Sequence, residues 1–270
     1  MTRRSKTQKN RDKKRKNDLV GIAIISLVVI TVIIVFIVQS SIVSGKNSID
    51  EVTNCPDKIK EDIVFIIDLT DTLNRTQDVI VRETIKSKVF NSNSQTRFNF
   101  YLLTENIDDF QVYLTICNPG DGSDANEFIS NKRRLTQRWE EGFKTHIDDI
   151  MNLLSTTPEA KYSPVVESIK IASVERFFNS DAERKKLILI SDLLQHSSGF
   201  TNYKNDYSPE SAVTNSYLIQ NRPYLRNVEV EVLYIYRPNA STLQTNKHAL
   251  FWQNIIGKSD GYLKEMQVVR

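Results

Sequence analysis

Apolar residues along this chain fall into three kinds of run. The first, Leu19–Val38, carries no charge and only two hydroxyl side chains, Ser26 and Thr31. A helix of about 20 such residues spans the hydrocarbon core of a bilayer, and it has no polar face to turn toward water. The second kind is a short solid block, seen at residues 63–67, 187–190 and 232–236, the last after an alternating start at 228–231. Solid blocks bounded by polar residues predict strands covered on both faces. Residues 96–104 and 110–117 add two strands so close together that they should pair antiparallel. The third kind recurs every three or four residues and predicts amphipathic helices. One covers residues 74–90, with Val79, Ile80, Ile85 and Val89 inward. A long one covers 131–154, with Leu135, Trp139, Phe143, Ile147, Ile150 and Leu154 inward. Another runs from Pro164 to about residue 178, with proline in the first turn and Ser163 as its cap. Residues 211–220 and 245–256 give two more, with Trp252 and Trp139 read as core. Residues 261–269 suit a strand or a helix.

This order of elements predicts an α/β fold of three layers. A mostly parallel central sheet, with one antiparallel edge strand, lies between helices on both faces. The chain then divides into residues 1–18, a basic tail; 19–39, a transmembrane helix; 40–60, a linker containing Gly45 and Pro56; and 61–270, the folded domain. At 270 residues there is room for one full core.

Charge sharpens the topology. Residues 1–18 hold nine Lys/Arg against Asp12 and Asp18, a local charge of +7 in a chain whose net charge is +3. The remainder is therefore mildly acidic, which argues against a nucleic-acid partner. Basic residues on the amino side keep that side in the cytoplasm, where they can touch anionic lipid. The domain is then expected outside, in the periplasm or at the cell surface. Small residues at 40–45 leave cleavage after the apolar run open.

Candidate chemistry begins where the first solid block ends. Asp68-Leu69-Thr70-Asp71-Thr72 sets a carboxylate and two hydroxyls at the carboxyl end of a buried strand, where open α/β sheets bind ligands. Strand directions can be followed from there. If the first strand rises, Ser163 and Asp192 arrive at the same upper rim as Asp68, Thr70 and Thr72. Cys55 and Cys117 arrive at the opposite end, and in an exported domain they are expected to form a disulfide.

The rim resembles a von Willebrand factor type A domain with its metal-ion-dependent adhesion site. That family's first motif, Asp-x-Ser-x-Ser, is matched by Asp68-x-Thr70-x-Thr72. Its second-loop threonine is matched by Ser163 in Tyr162-Ser163-Pro164, and its Ser-Asp-Gly by Ser191-Asp192-Leu193. The resemblance covers roughly residues 61–270. Threonines replace both serines, serine replaces the threonine, and Leu193 replaces glycine. Asp71 adds a carboxylate with no counterpart. The resemblance implies Mg2+, or another hard divalent cation, held by Asp68, Thr70, Thr72, Ser163 and Asp192. One coordination position would be left for an acidic group of a protein partner, so the expected role is binding rather than catalysis.

Rival chemistries are less well supported. A haloacid-dehalogenase phosphatase needs Asp-x-Asp, but residue 70 is threonine. Ser191, Asp192 and His196 are near one another in sequence, yet no Gly-x-Ser-x-Gly elbow occurs. The turn at 118–124 lacks the glutamate of a calcium loop. A membrane-anchored metal-dependent hydrolase and a metal-independent structural scaffold remain as alternatives.

Overall fold

The computed structural model describes residues 19–22, 24–38, 49–50, 52–121, 132–154, 160–204 and 207–270. The basic tail, the small residues at 40–45, the end of the 118–124 turn and part of the loop before Ser163 lie outside them. The chain forms two compact units, Met1–Ser48 and Ile49–Arg270. In the first unit the apolar run Leu19–Val38 is a helix (α1), long and apolar enough to cross a membrane. The Thr31 hydroxyl donates to the Leu27 carbonyl at 2.5 Å, which satisfies a polar group that lipid could not.

The second unit is built on a six-stranded sheet. Its strands are β1 (Glu61–Asp68), β2 (Thr96–Leu103), β3 (Val112–Cys117), β4 (Arg184–Ser191), β5 (Val228–Ile235) and β6 (Tyr262–Val269), in the order β3-β2-β1-β4-β5-β6. Only β3 runs antiparallel to its neighbour. The fold is thus the three-layer α/β arrangement expected, with residues 262–269 a strand. The solid apolar block of β1 has a simple cause. Val64 and Ile66 enter the core on one face, while Ile63, Phe65 and Ile67 enter the core on the other. Phe65 stacks on Phe100 of β2 with ring centroids 4.8 Å apart.

Helices α5 (Val165–Phe177) and α8 (Asn246–Lys258) cover the Val64 face. The other face is covered by α2 (Arg75–Phe90) and by the segment made of α3 (Lys132–Gln137), a π-helix (Arg138–Lys144) and α4 (Thr145–Leu153). The sequence pattern predicts one continuous helix here. Its apolar residues Leu135, Trp139, Phe143 and Ile147 recur every fourth position, and each step overshoots an α-helical turn by about 40°. The wider π turns reduce this drift, so that Phe143 is buried and Trp139 packs on Phe90.

Three further details depart from the sequence pattern. The inward face of α2 is Gln77, Val81, Ile85 and Val89, whereas Val79 is exposed. Gln77 is buried for a purpose: its amide donates to the Tyr236 carbonyl at 2.8 Å, beyond β5. Ser163 does not cap α5, since Pro164 holds that position with no side-chain cap bond. Residues 211–220 form two short helices, α6 (Ser211–Thr214) and α7 (Ser216–Gln220), because Asn215 interrupts them and caps the second. As expected, Cys55 and Cys117 form a disulfide, and the Cys117 N–H donates to the Thr53 carbonyl at 2.8 Å. The chain just before β1 is therefore tied to the domain.

Candidate metal centre at the sheet switch point

The strand order reverses direction about β1 and β4. Connections leave these two neighbours toward opposite edges, which opens a crevice at their carboxyl ends. Asp68 and Ser191 are the last residues of the two strands. Parallel pairing aligns Ile67 with Ile190, which places Asp68 and Ser191 at the same level.

Asp68 is the hub. One carboxylate oxygen, Oδ1, accepts from the Thr70 N–H at 3.0 Å and from the Thr70 hydroxyl at 2.6 Å. This is a turn that aspartate favours because its short side chain reaches the backbone two residues on. The other, Oδ2, accepts from the Ser163 hydroxyl at 3.2 Å and the Ser191 hydroxyl at 2.6 Å. Thr70, Ser163 and Ser191 are buried. Ser163 is carried to this point by reciprocal backbone hydrogen bonds with His196, at 2.9 and 2.8 Å. The second and third loops of the rim are thereby stitched together.

Asp192 lies just past β4 and is 2 % exposed. Its Oδ1 accepts from the Leu194 N–H at 2.9 Å, and its Oδ2 from Arg237 Nε at 2.9 Å. Burial, and then the nearby Asp68 carboxylate, push its pKa up to about 7, against the pull of Arg237. Two carboxylates facing one crevice resist ionising together unless a cation joins them.

Of the five residues expected from the sequence, Asp68, Thr70 and Ser163 share direct hydrogen bonds. Asp192 joins them through the field of Asp68. Thr72 is exposed, and it takes part through its carbonyl, which accepts from Arg237 Nη1. Three participants were not singled out by spacing. Ser191 supplies a further hydroxyl to Asp68. Arg237 follows β5 and pairs with Asp192. Gln244 donates to the carbonyls of Asp192 and Ile235 at 3.0 and 2.9 Å. Ser191 had a signal, its place before Asp192 in the third motif. A lone arginine or glutamine after a strand has none. Asp71 also gains a role: its carbonyl accepts from Arg237 Nη2 at 3.4 Å.

His196 Nδ1 contacts the Thr201 hydroxyl at 2.9 Å, while the Ser191 hydroxyl donates to Asp68. These contacts do not make a nucleophile–base pair. The donor chemistry instead fits a hard divalent cation: carboxylate and hydroxyl oxygens, with no thiolate or imidazole among them. Among the described residues no group of three or more His, Cys, Asp or Glu is placed to hold a metal, so an ion here would rely on hydroxyl oxygens.

The domain has a von Willebrand A-like fold. Strand order, the single antiparallel edge and the three rim loops carry that statement. No protein-family model matches the chain, and no curated protein matches it. Solved structures with similar folds include the conserved hypothetical protein BatB from Bacteroides thetaiotaomicron, at 13% identity and TM-score 0.40, over 78% of this chain and 90% of that one. Another is proximal thread matrix protein 1 from the mussel byssus, described with a zinc-occupied MIDAS motif, at 15% identity and TM-score 0.40. That match covers 78% of this chain and 42% of the mussel protein, so the chain spans less than half of that relative's length. A third is an aerotolerance-related membrane protein from Bacteroides fragilis, at 13% identity and TM-score 0.35, over 78% and 92% of the two chains. Likenesses this distant add no weight to the assignment of ligands or partners.

Proposed function

We propose that this chain is a single-pass membrane protein whose folded domain, outside the cytoplasm, binds a protein partner through a divalent cation. One observation carries the proposal: Asp68, Thr70, Ser163 and Asp192 come from three separate loops and meet at one switch point, with Ser191 beside them. A helix cap would need only the first of these loops. Asp68 and Asp192 would hold the ion, with Thr70, Ser163 and Thr72 as neutral oxygens; Mg2+ suits this set best. When bound, the ion would offer a Lewis-acidic position to a carboxylate of the partner. The chain's own residues orient the two carboxylates and keep water from the oxygens beneath them.

The anchor is α1, and the basic tail sets its direction. A disulfide is stable in oxidising compartments, which agrees with a periplasmic or extracellular domain. The role is binding, within an envelope or surface assembly, rather than catalysis. Copurification from detergent extracts of the source cells tests this. At least one protein should be retained with Mg2+ and lost both with EDTA and with Asp68→Ala. The same set of proteins under all three conditions would refute metal-dependent binding. Turnover of generic phosphate esters that disappears in Asp68→Ala would favour the hydrolase instead.

A further inference from the structure

Arg237 sits where an incoming cation has to act. Its Nε donates to Asp192 Oδ2 at 2.9 Å, Nη1 to the Thr72 carbonyl, and Nη2 to the Asp71 carbonyl at 3.4 Å. All three acceptors belong to the two loops that carry candidate ligands. We propose that Arg237 is the resident cation of this rim, and that a divalent ion binds by exchange with it. This rests on the metal-site reading above.

The contacts argue for exchange rather than coexistence. Asp192 is almost fully buried and holds the guanidinium on the oxygen opposite the one bonded to Leu194. A second cation on that carboxylate would meet a like charge only a few ångströms away, in a crevice where water screens poorly. The main chain of Arg237 need not move. Its N–H donates to Gln244 Oε1 at 2.7 Å, and the Gln244 amide is fixed on the Asp192 and Ile235 carbonyls. Only the side chain has to swing outward, toward the solvent it partly reaches already.

Exchange also accounts for Thr72. Its hydroxyl stands outside the Asp68 cluster while its carbonyl is tied to Arg237. Releasing the guanidinium frees the Asp71–Thr72 backbone, and the loop can then turn the Thr72 hydroxyl inward. The arginine thus keeps two carboxylate-bearing loops together without metal and sets a threshold that the metal must exceed.

The test uses the full chain in neutral detergent, titrated with Mn2+ and followed both by heat and by loss of the free-ion magnetic resonance signal. Arg237→Gln should bind Mn2+ about tenfold or more tightly than the wild type, the scale of close charge-pair coupling. Arg237→Lys, which keeps the charge, should stay near the wild type. Equal or weaker binding by Arg237→Gln, with the wild type binding, overturns the exchange and leaves the metal site standing. No binding by either protein overturns both. If Arg237→Gln does not fold, the wild type decides: its Arg237 Nε–H should be protected from hydrogen exchange without metal and lose protection at saturating Mg2+. Protection that persists at saturation overturns the proposal.

Discussion

Leu193 occupies the position where the resembled motif has glycine, and its backbone shows why glycine would suit. Its φ is +60°, in the left-handed region that costs an L-residue about 1–2 kcal/mol. Yet its side chain is 1 % exposed and packs in the core with α5 and α8. Its N–H donates to the Ser191 hydroxyl at 2.8 Å, and its carbonyl accepts from Trp252 Nε1 at 2.9 Å. Two terms of opposite sign therefore act at one residue. Leu193→Ala keeps the backbone strain and loses the packing, at a cost of about 2–5 kcal/mol. Leu193→Gly loses that packing and the Cβ as well, but relieves the strain, leaving it about 1 kcal/mol better than alanine after glycine's greater freedom in the unfolded chain is counted. Glycine is thus predicted to be the milder substitution, the reverse of the order found where φ is negative. Urea unfolding followed by Trp252 emission measures both variants. If Leu193→Gly is as unstable as Leu193→Ala, or more so, the packing-against-strain account of this turn is wrong.

Three further outcomes follow from named contacts. Replacing both Cys55 and Cys117 with alanine opens a closed loop of 62 residues, which the chain-entropy relation values at about 4 kcal/mol; a loss below about 1 kcal/mol in urea titrations would show that the unfolded chain keeps that loop compact. Burial lowers the His248 pKa from 6.5 to about 4, so as pH falls through that interval the unfolded chain takes up a proton that the native imidazole refuses, and stability drops by about 3 kcal/mol. Asp192, raised to about 7, acts with the opposite sign over much of the same interval, so the check is the difference in pH dependence between the wild type and His248→Gln, which should vanish above about pH 7. Ser191→Ala removes a buried donor to Asp68 and the acceptor of the Leu193 N–H; it should cost about 1–3 kcal/mol, and an unchanged unfolding midpoint would mean Ser191 does not support the rim.

The parts of this molecule that announce themselves in sequence are those with strong periodicity. β1 is a solid apolar block because both its faces are covered, and α1 is an uninterrupted apolar run long enough to cross a membrane. Asp68, Ser163 and Asp192 could be brought to one rim by counting strand reversals, since parallel strands put all their carboxyl ends on one side. What escaped is what depends on contacts distant in sequence. Gln77 looks like a surface residue until its partners, the Tyr236 carbonyl just past β5 and the Val269 carbonyl at the end of β6, are known. The π turns keep Trp139 and Phe143 against Phe90 and Phe98, and the four-residue spacing does not reveal those partners. Arg237 and Gln244 reach the site from a loop whose Pro238-Asn239 marks a turn but whose sequence carries no ligand signature. Ser163 looked like a cap because Pro164 starts a helix, but its hydroxyl serves Asp68 instead.

The central claim is that Asp68 and its neighbours form a divalent-cation site. Calorimetric titration of Mg2+ and Mn2+ into the full chain, beside Asp68→Ala, tests it most directly. The wild type should give saturable binding of one ion per chain, and Asp68→Ala should give none while remaining folded by circular dichroism. No saturable binding to the wild type, or equal binding by the two proteins, would contradict the claim.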